Sequence, residues 1–313
     1  MERRPYYSAN RYYRELFGEK AYKLSLDAGM TCPNRDGTLD TRGCIFCSAG
    51  GSGDFAQGAS GTVSEQLDGA ITRIASKYSG TKYIAYFQAF TGTYAPLQQL
   101  RDTFIPVIED ARIAGISVAT RPDCLEDGKI ELLKELASRK PVWVELGLQT
   151  INEKTAEYIR RCYSLPVFED ALSRLKHAGI PVTVHIIVGL PGETHDDYIK
   201  CAEYLADRHV EGVKIQLLHV LRGTDLAADY EAGLFKVMER GEYIRTVVDI
   251  IELLPPDTVV HRLTGDGPRK ILIAPQWSTD KKNILNLIHR EFRTRNTYQG
   301  RKYQDGGRIN DTL

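Results

Sequence analysis

Apolar, β-branched runs alternate with amphipathic stretches along roughly two hundred residues of this chain. The runs predict strands at Tyr22–Leu26, Lys82–Gln88, Ser117–Arg121, Val142–Gln149, Pro181–Val188 and Val213–Val220. Helical periodicity fills 64–78, 97–114, 128–138, 166–178 and 195–207 between them. Thr62-x-x-Glu65 reads as a capping box at the start of the first helix. Gly80, Gly115 and Gly179 stand where left-handed C-caps would close three of the helices. Such repetition calls for right-handed crossovers and a parallel sheet, either open and doubly wound or curled into a barrel.

The strand side chains favour the barrel. Val142, Val144, Leu146 and Leu148 point one way, and Trp143, Glu145, Gly147 and Gln149 the other. Val182, Val184, Ile186 and Val188 likewise oppose Thr183, His185, Ile187 and Gly189, and Val213, Ile215 and Leu217 oppose Lys214, Gln216 and Leu218. One face suits a covering of helices. The other carries isolated polar groups, which are costly under a covered sheet unless they gather around a cavity. The expected fold is α/β, a partial (β/α)6 TIM-like barrel over 22–222. Residues 1–21 form an N-terminal extension. Residues 223–300 form a small C-terminal α/β extension packing on or capping the barrel, with a turn and short helix at GTDLAADYEAG, a helix over 239–253, a short strand near 258–263, an apolar stretch at 271–274 and a basic helix near 281–293, and 301–313 a flexible tail.

Composition enters as an exclusion. With 42% hydrophobic and 26% charged residues the chain is an ordinary globular one. No apolar run is long enough for a membrane span, and the polar, Tyr-rich start has no secretory core. A cytoplasmic location follows, where thiols stay reduced, so the six cysteines need another explanation than disulfides. Net charge is zero, yet 281–302 sets seven Lys and Arg against Glu291 alone. Arg290, Arg293 and Arg295 there are candidate contacts to nucleic acid, or a solvated surface.

The sharpest local signal follows the first strand: Cys32-PNRDGTLDTRG-Cys44-IF-Cys47. Three thiols come from one loop at the C-terminal end of a strand, the face on which α/β barrels carry chemistry. Structural zinc usually takes four ligands in paired knuckles, whereas three suit an iron–sulfur cubane with one open iron. Spacing alone leaves both metals open. Cys124, Cys162 and Cys201 read as ordinary small residues, with Cys124 singled out because it follows the ATRPD strand end.

The stretch CPNRDGTLDTRGCIFC, followed in order by YFQAFTGT, ATRPD, VELGLQT and HIIVGLPGET, resembles the YhcC/YtqA-type radical SAM proteins. These are relatives of the radical SAM domain of the elongator catalytic subunit, and the similarity covers roughly residues 10–275. The resemblance implies a [4Fe–4S] cluster on Cys32, Cys44 and Cys47 and S-adenosylmethionine bound at the open iron. It implies reductive cleavage to a 5′-deoxyadenosyl radical, fed by a one-electron donor such as flavodoxin or ferredoxin. It further implies cofactor contacts from Gln88, Thr91 and Gly92 after the second strand, Thr120 and Arg121 at the end of the third, and Gln149 at the end of the fourth. Arg161 corresponds to an arginine that pairs with the cofactor carboxylate. His185 stands where a ribose-binding group often lies, and Phe46 is expected against the adenine.

Plainer readings stand beside these. Arg121-Pro-Asp123 also reads as a salt-bridged turn, His185 as a core histidine, and Glu145 with Lys214 as a structural pair across the barrel or a substrate contact. By analogy with the elongator relatives, the expected reaction is maturation of a 5-substituted tRNA wobble uridine, such as removal of a carboxymethyl group. A small metabolite or protein side chain is the competing substrate. A non-catalytic iron–sulfur or zinc protein that binds RNA is the third reading.

Overall fold

The computed structural model describes residues 5–51, 62–75, 78, 80–265 and 267–304. Its main sheet is parallel throughout, with strands β1 (Ala21–Leu26), β2 (Lys82–Phe87), β3 (Ile113–Thr120), β4 (Val142–Gln149), β5 (Val182–Val188), β6 (Gly212–Leu217) and β8 (Val259–Arg262) in that spatial order. The partial barrel is as expected, but with seven strands where six were predicted. β8 comes from the segment expected as a separate extension, and pairs with β6 through Gly212↔Val259 and Lys214↔Arg262. The short strand expected near 258–263 is therefore present, but as the last strand of the main sheet.

The covering helices are α2 (Val63–Ile74), α3 (Leu97–Glu109), α4 (Asp127–Ala137), α5 (Glu153–Tyr158), α6 (Leu165–His177) and α7 (His195–Asp207). The capping box at Thr62 and Glu65 forms, and Gly179 takes a left-handed conformation with φ 70° after α6. The other two predicted caps do not. Gly80 has no positive φ, and Gly115 lies inside β3, where a Cβ would come within 2.6 Å of the Pro141 carbonyl and 2.7 Å of the Trp143 ring. Glycine is there to let β3 and β4 approach, so α3 ends earlier than its periodicity suggests.

Val142, Val144, Leu146 and Leu148 join the main core beneath the helices, as do Val182, Val184, Ile186 and Val188. Burial of each such side chain contributes about 1.5–3 kcal/mol. The opposite face turns inward. In a flat sheet β1 would stand about 14 Å from β4, yet Lys23 on β1 and Lys214 on β6 both reach the Glu145 carboxylate of β4, at 2.5 and 2.7 Å. Only a curled sheet brings them together.

The floor of the curl is closed by α1 (Ala9–Phe17), which packs against both edge strands, β1 and β8. Ser8 caps it and Gly18 ends it in a left-handed turn. Tyr13 meets the inward-facing Trp143 edge-on at 5.6 Å, and the Trp143 indole donates to the Tyr12 hydroxyl at 3.1 Å. The N-terminal segment is thus a plug.

The predicted strand Val213–Val220 breaks in two. After β6, the two-residue β7 (Val220–Leu221) leaves the sheet and pairs antiparallel with β9 (Leu272–Ala274). Then α8 (Asp225–Glu231) and α9 (Arg240–Leu253) follow, and α10 (Lys281–Arg295) lies on α9, which lies on α7. The tail expected from 301 onward falls outside the described residues beyond 304. Among the described residues no helix is long and apolar enough to cross a membrane.

Candidate functional site

One cavity of about 400 Å³ occupies the C-terminal end of the curled sheet and is reached by side chains of all seven strands. Its volume lies in the range of small-molecule sites. Cys32, Cys44 and Cys47 stand at its mouth, each partly exposed. The loop that carries them is tied down from within. Gly43, at φ 77°, lets its N–H reach the Asn34 carbonyl at 2.7 Å, and the Cys47 N–H bonds the Cys44 carbonyl at 2.9 Å. Arg35 donates to the carbonyls of Cys47 and Ser48 at 3.2 and 2.5 Å. The wholly buried Asn34 side chain donates to the Arg160 carbonyl at 2.8 Å and to the Cys44 sulfur at 3.5 Å.

Phe46 lines the cavity and packs into a second apolar cluster with Ile159, Ile187 and Leu218. Gln88, Thr91 and Thr120 also line it. Gly92 does not: its N–H bonds the Ala119 carbonyl at 2.8 Å, and a Cβ would stand 2.8 Å from that same oxygen. The glycine therefore seats the loop on β3, rather than opening backbone to a ligand. Thr120 meets Thr93 at 2.5 Å, and Thr93 donates to the Cys124 carbonyl at 2.6 Å. Cys124 is buried behind this wall, Cys201 is buried on α7, and Cys162 is exposed.

Two arginines expected to meet the cofactor are held by the protein itself. Arg121 grips Asp123 through two nitrogens at 2.9 and 2.7 Å and donates to the Arg161 carbonyl at 3.0 Å. The salt-bridged turn is therefore formed. Arg161 donates to the carbonyls of Tyr163, Leu148 and Thr150 and to Glu153. Of its five donors one is left, so its main work is to fasten the end of β4. Gln149 differs. It sits at φ 64°, lines the cavity, and its buried side-chain oxygen has no hydrogen-bond partner. A buried acceptor in a left-handed, non-glycine residue is a costly arrangement of the kind that functional sites keep.

Below this level Glu145 gathers five donors. Lys23 and Ser117 reach Oε1 at 2.5 and 2.9 Å; Lys214, Tyr86 and His185 reach Oε2 at 2.7, 2.9 and 2.6 Å. Burial alone would push the carboxyl up, but Lys214, Lys23 and the His185 bond outweigh it and hold it well below the usual range. Burial, with Lys214 beside it, pushes His185 down to about 4 against the pull of Glu145, so the imidazole is neutral at pH 7. Glu145 and Lys214 are thus paired across the barrel, and His185 belongs to their network. Lys23, Tyr86 and Arg262 were not singled out from the sequence. Lys23 and Tyr86 do follow the inward alternation of β1 and β2; Arg262, on the short β8, gave no such sign.

The basic residues of α10 lie elsewhere. Arg295 bonds Asp249 and Glu291 at 2.6 and 2.8 Å. Arg290 and Arg293 are exposed on the outer helical layer. Just past them, Gln299 bonds the Pro255 and Thr258 carbonyls at the entry to β8, the end of the sheet opposite the cavity mouth.

Glu193, in the turn after β5, accepts a bond from the Thr150 hydroxyl. Burial, with Asp197 adding to it, pushes its carboxyl up to about 7 against the effect of Thr150. Its folded form therefore holds the proton more tightly than its unfolded form. The stabilisation is complete below about pH 4.5 and is lost as pH rises through about 7. Allowing for partial exposure, wild type should lose about 2 kcal/mol between pH 5 and 8 that Glu193→Gln retains. Urea midpoints at the two pH values measure it, and parallel pH slopes for the two proteins would refute it.

Comparison with known proteins adds the lineage. Residues 41–205 match the family described as the Radical SAM superfamily, and 210–294 match the Radical_SAM C-terminal domain. Protein YtqA of Bacillus subtilis is 44% identical over 299 residues, covering 96% of this chain and 93% of its own. Protein YhcC of Escherichia coli is 35% identical over 266 residues, 85% of each chain. Among solved structures, an archaeal Elp3 from Methanocaldococcus infernus superposes with a TM-score of 0.67 at 17% identity, over 89% of this chain and 64% of that one. That is a likeness of fold. More distantly, a tRNA uridine(34) acetyltransferase of Methanocaldococcus jannaschii is 25% identical over 182 residues, 57% of this chain and 32% of its own length.

Proposed function

Since this chain belongs to the radical SAM superfamily, we propose that Cys32, Cys44 and Cys47 hold a [4Fe–4S] cluster and that the cavity beneath them receives S-adenosylmethionine. The observation that carries the reading is a conjunction on the walls of one cavity. Three thiols of a single loop stand at its mouth, and Gln149, whose buried side-chain oxygen has no partner, lines it. Three sulfur donors leave one iron of a cubane open, so the donor set fits the group. When bound and reduced, the cluster supplies the electron that cleaves the sulfonium of S-adenosylmethionine to a 5′-deoxyadenosyl radical.

The chain's own residues do the rest. The Asn34 amide donates toward the Cys44 sulfur, a bond that steadies a thiolate and tunes what it ligates. Gln149 offers its oxygen to an ammonium donor, which removes the cost of leaving it unpaired. Phe46, Ile187 and Leu218 supply an apolar wall that excludes water from a reactive radical. Gln88, Thr91 and Thr120 add polar contacts, and Arg121 and Arg161 act chiefly by fixing the strand ends from which these groups project. A flavodoxin- or ferredoxin-type donor and a cytoplasmic, reducing setting belong to the same reading.

For the substrate, we propose a tRNA carrying a 5-substituted wobble uridine. The names of the distant relatives support it; Arg290 and Arg293, away from the cavity mouth, could serve only phosphates remote from the reacting nucleoside. Mass spectrometry of modified nucleosides in total tRNA, with and without the gene, tests it. The expected result is accumulation of one 5-substituted uridine and loss of its successor. An identical nucleoside profile across growth conditions would overturn the tRNA substrate and leave a metabolite or protein side chain in its place.

A further inference from the structure

Among the described residues, the floor of the cavity holds more positive charge than its carboxylates neutralise. Lys23, Lys214 and Arg262 face a single carboxylate, that of Glu145, and all but Lys23 line the cavity. A carboxylate offers about four lone-pair sites, and Glu145 already accepts from five donors. It has nothing left for Arg262. The nearby histidines add no negative charge and no positive one, since burial pushes both His185 and His261 down.

Arg262 stands out among the enclosed arginines. Arg121 has Asp123, Arg160 has Asp225, Arg161 has Glu153, Arg295 has Asp249 and Glu291, and Arg35, which lacks a carboxylate, has the Cys47 and Ser48 carbonyls. Arg262 is half-buried on β8, beside Lys214 on β6, and no carboxylate among the described residues pairs with it. A guanidinium is charged at every accessible pH and presents five donors in a planar fork. Enclosing one without a partner is unfavourable. Small or neutral groups line the same cavity, among them Gly147, Ala119, Ser25 and Gln216.

We infer that this floor is a carboxylate subsite, in which the Arg262 fork, with Lys214 beside it, receives the anionic end of the substrate. The inference rests on the cavity being the active site, as proposed above, and names the chemical class of what enters it: a molecule, or a nucleoside substituent, bearing a carboxylate. Charge balance favours a carboxylate over a phosphate. Lys23 and Glu145 cancel, and burial, reinforced by Arg262 and Lys23, brings Lys214 down to about 7 despite Glu145. What remains at neutral pH is one full charge and a part, which one carboxylate matches; a phosphate monoester carries about −1.5 to −2. The substrate end would be held in place, and no bond to it is made or broken at this floor.

The test is a titration of the anaerobically reconstituted full-length protein with [13C]acetate and, separately, inorganic phosphate, read by 13C and 31P line broadening. Acetate should bind saturably, and Arg262→Gln should weaken it at least about tenfold, with the better-folding Arg262→Lys in between. S-adenosylmethionine binding by equilibrium dialysis should be the same in wild type and both variants within about twofold. Acetate binding unaffected by either substitution would overturn the inference. So would tighter binding of phosphate than of acetate, or joint loss of acetate and S-adenosylmethionine binding, which would give Arg262 to the cofactor instead. Because acetate binding needs no tRNA, a failure of the tRNA reading leaves this result standing, and the reverse holds too.

Discussion

Glu145→Ala should destabilise the protein by roughly 3–5 kcal/mol, the size expected when one partner of a buried ion network is removed. The Glu145 side chain has no solvent exposure, and its loss strands Lys23 and Lys214 together with the hydroxyls of Tyr86 and Ser117. Lys23 can turn toward water, being about one-fifth exposed, but Lys214 is 7% exposed. The carboxyl of Glu145 is held low in the folded protein, so its contribution is present above its unfolded value near 4.5 and is lost as pH falls through the folded one. The gap between wild type and variant should therefore narrow in acid. Pairing Glu145→Leu with Lys214→Met should recover much of the loss, because an apolar pair needs no desolvated charge. Urea denaturation at pH 7 measures all three proteins. A deficit below about 1 kcal/mol for Glu145→Ala would show that the network is solvated rather than buried.

Cys47→Ala should remove iron and acid-labile sulfide from the reconstituted protein and lower S-adenosylmethionine cleavage at least about 100-fold, since losing a ligand is worse than losing its outer-shell support. The fold should barely respond. Cys47 is partly exposed on a loop whose backbone is held by Arg35 and by the Gly43–Asn34 bond, so its sulfur contributes little packing. Far-UV circular dichroism of the metal-free variant should overlay that of the metal-free wild type. Full iron and sulfide in the variant would remove Cys47 from the ligand set.

Much of this architecture is legible in the residues. The alternation of Trp143, Glu145, Gly147 and Gln149 against Val142, Val144, Leu146 and Leu148 announces a sheet with one polar inner face, and those polar residues do meet around one cavity. The cysteine loop announces itself by composition and by its place after a strand. What escaped was set by tertiary contact. Gly115 reads as a helix cap but is a point of close approach beneath Trp143. The aromatic residues of helix α1 have no evident purpose until Trp143 is there for Tyr13 to meet. The resemblance gives Arg161 to the cofactor carboxylate, and only the fold shows the carbonyls that hold it. Arg262 sits on a strand too short for any periodicity, and its neighbour Lys214 is 48 positions earlier in the chain.

The central claim is that this cavity, with its three-cysteine mouth, binds and cleaves S-adenosylmethionine. Its most direct test is the yield of 5′-deoxyadenosine, by mass spectrometry, from anaerobically reconstituted protein given S-adenosylmethionine and dithionite. The account predicts 5′-deoxyadenosine from wild type and none above background from Cys47→Ala. Absence of the product from wild-type protein that carries its full complement of iron and sulfide and binds S-adenosylmethionine would contradict it.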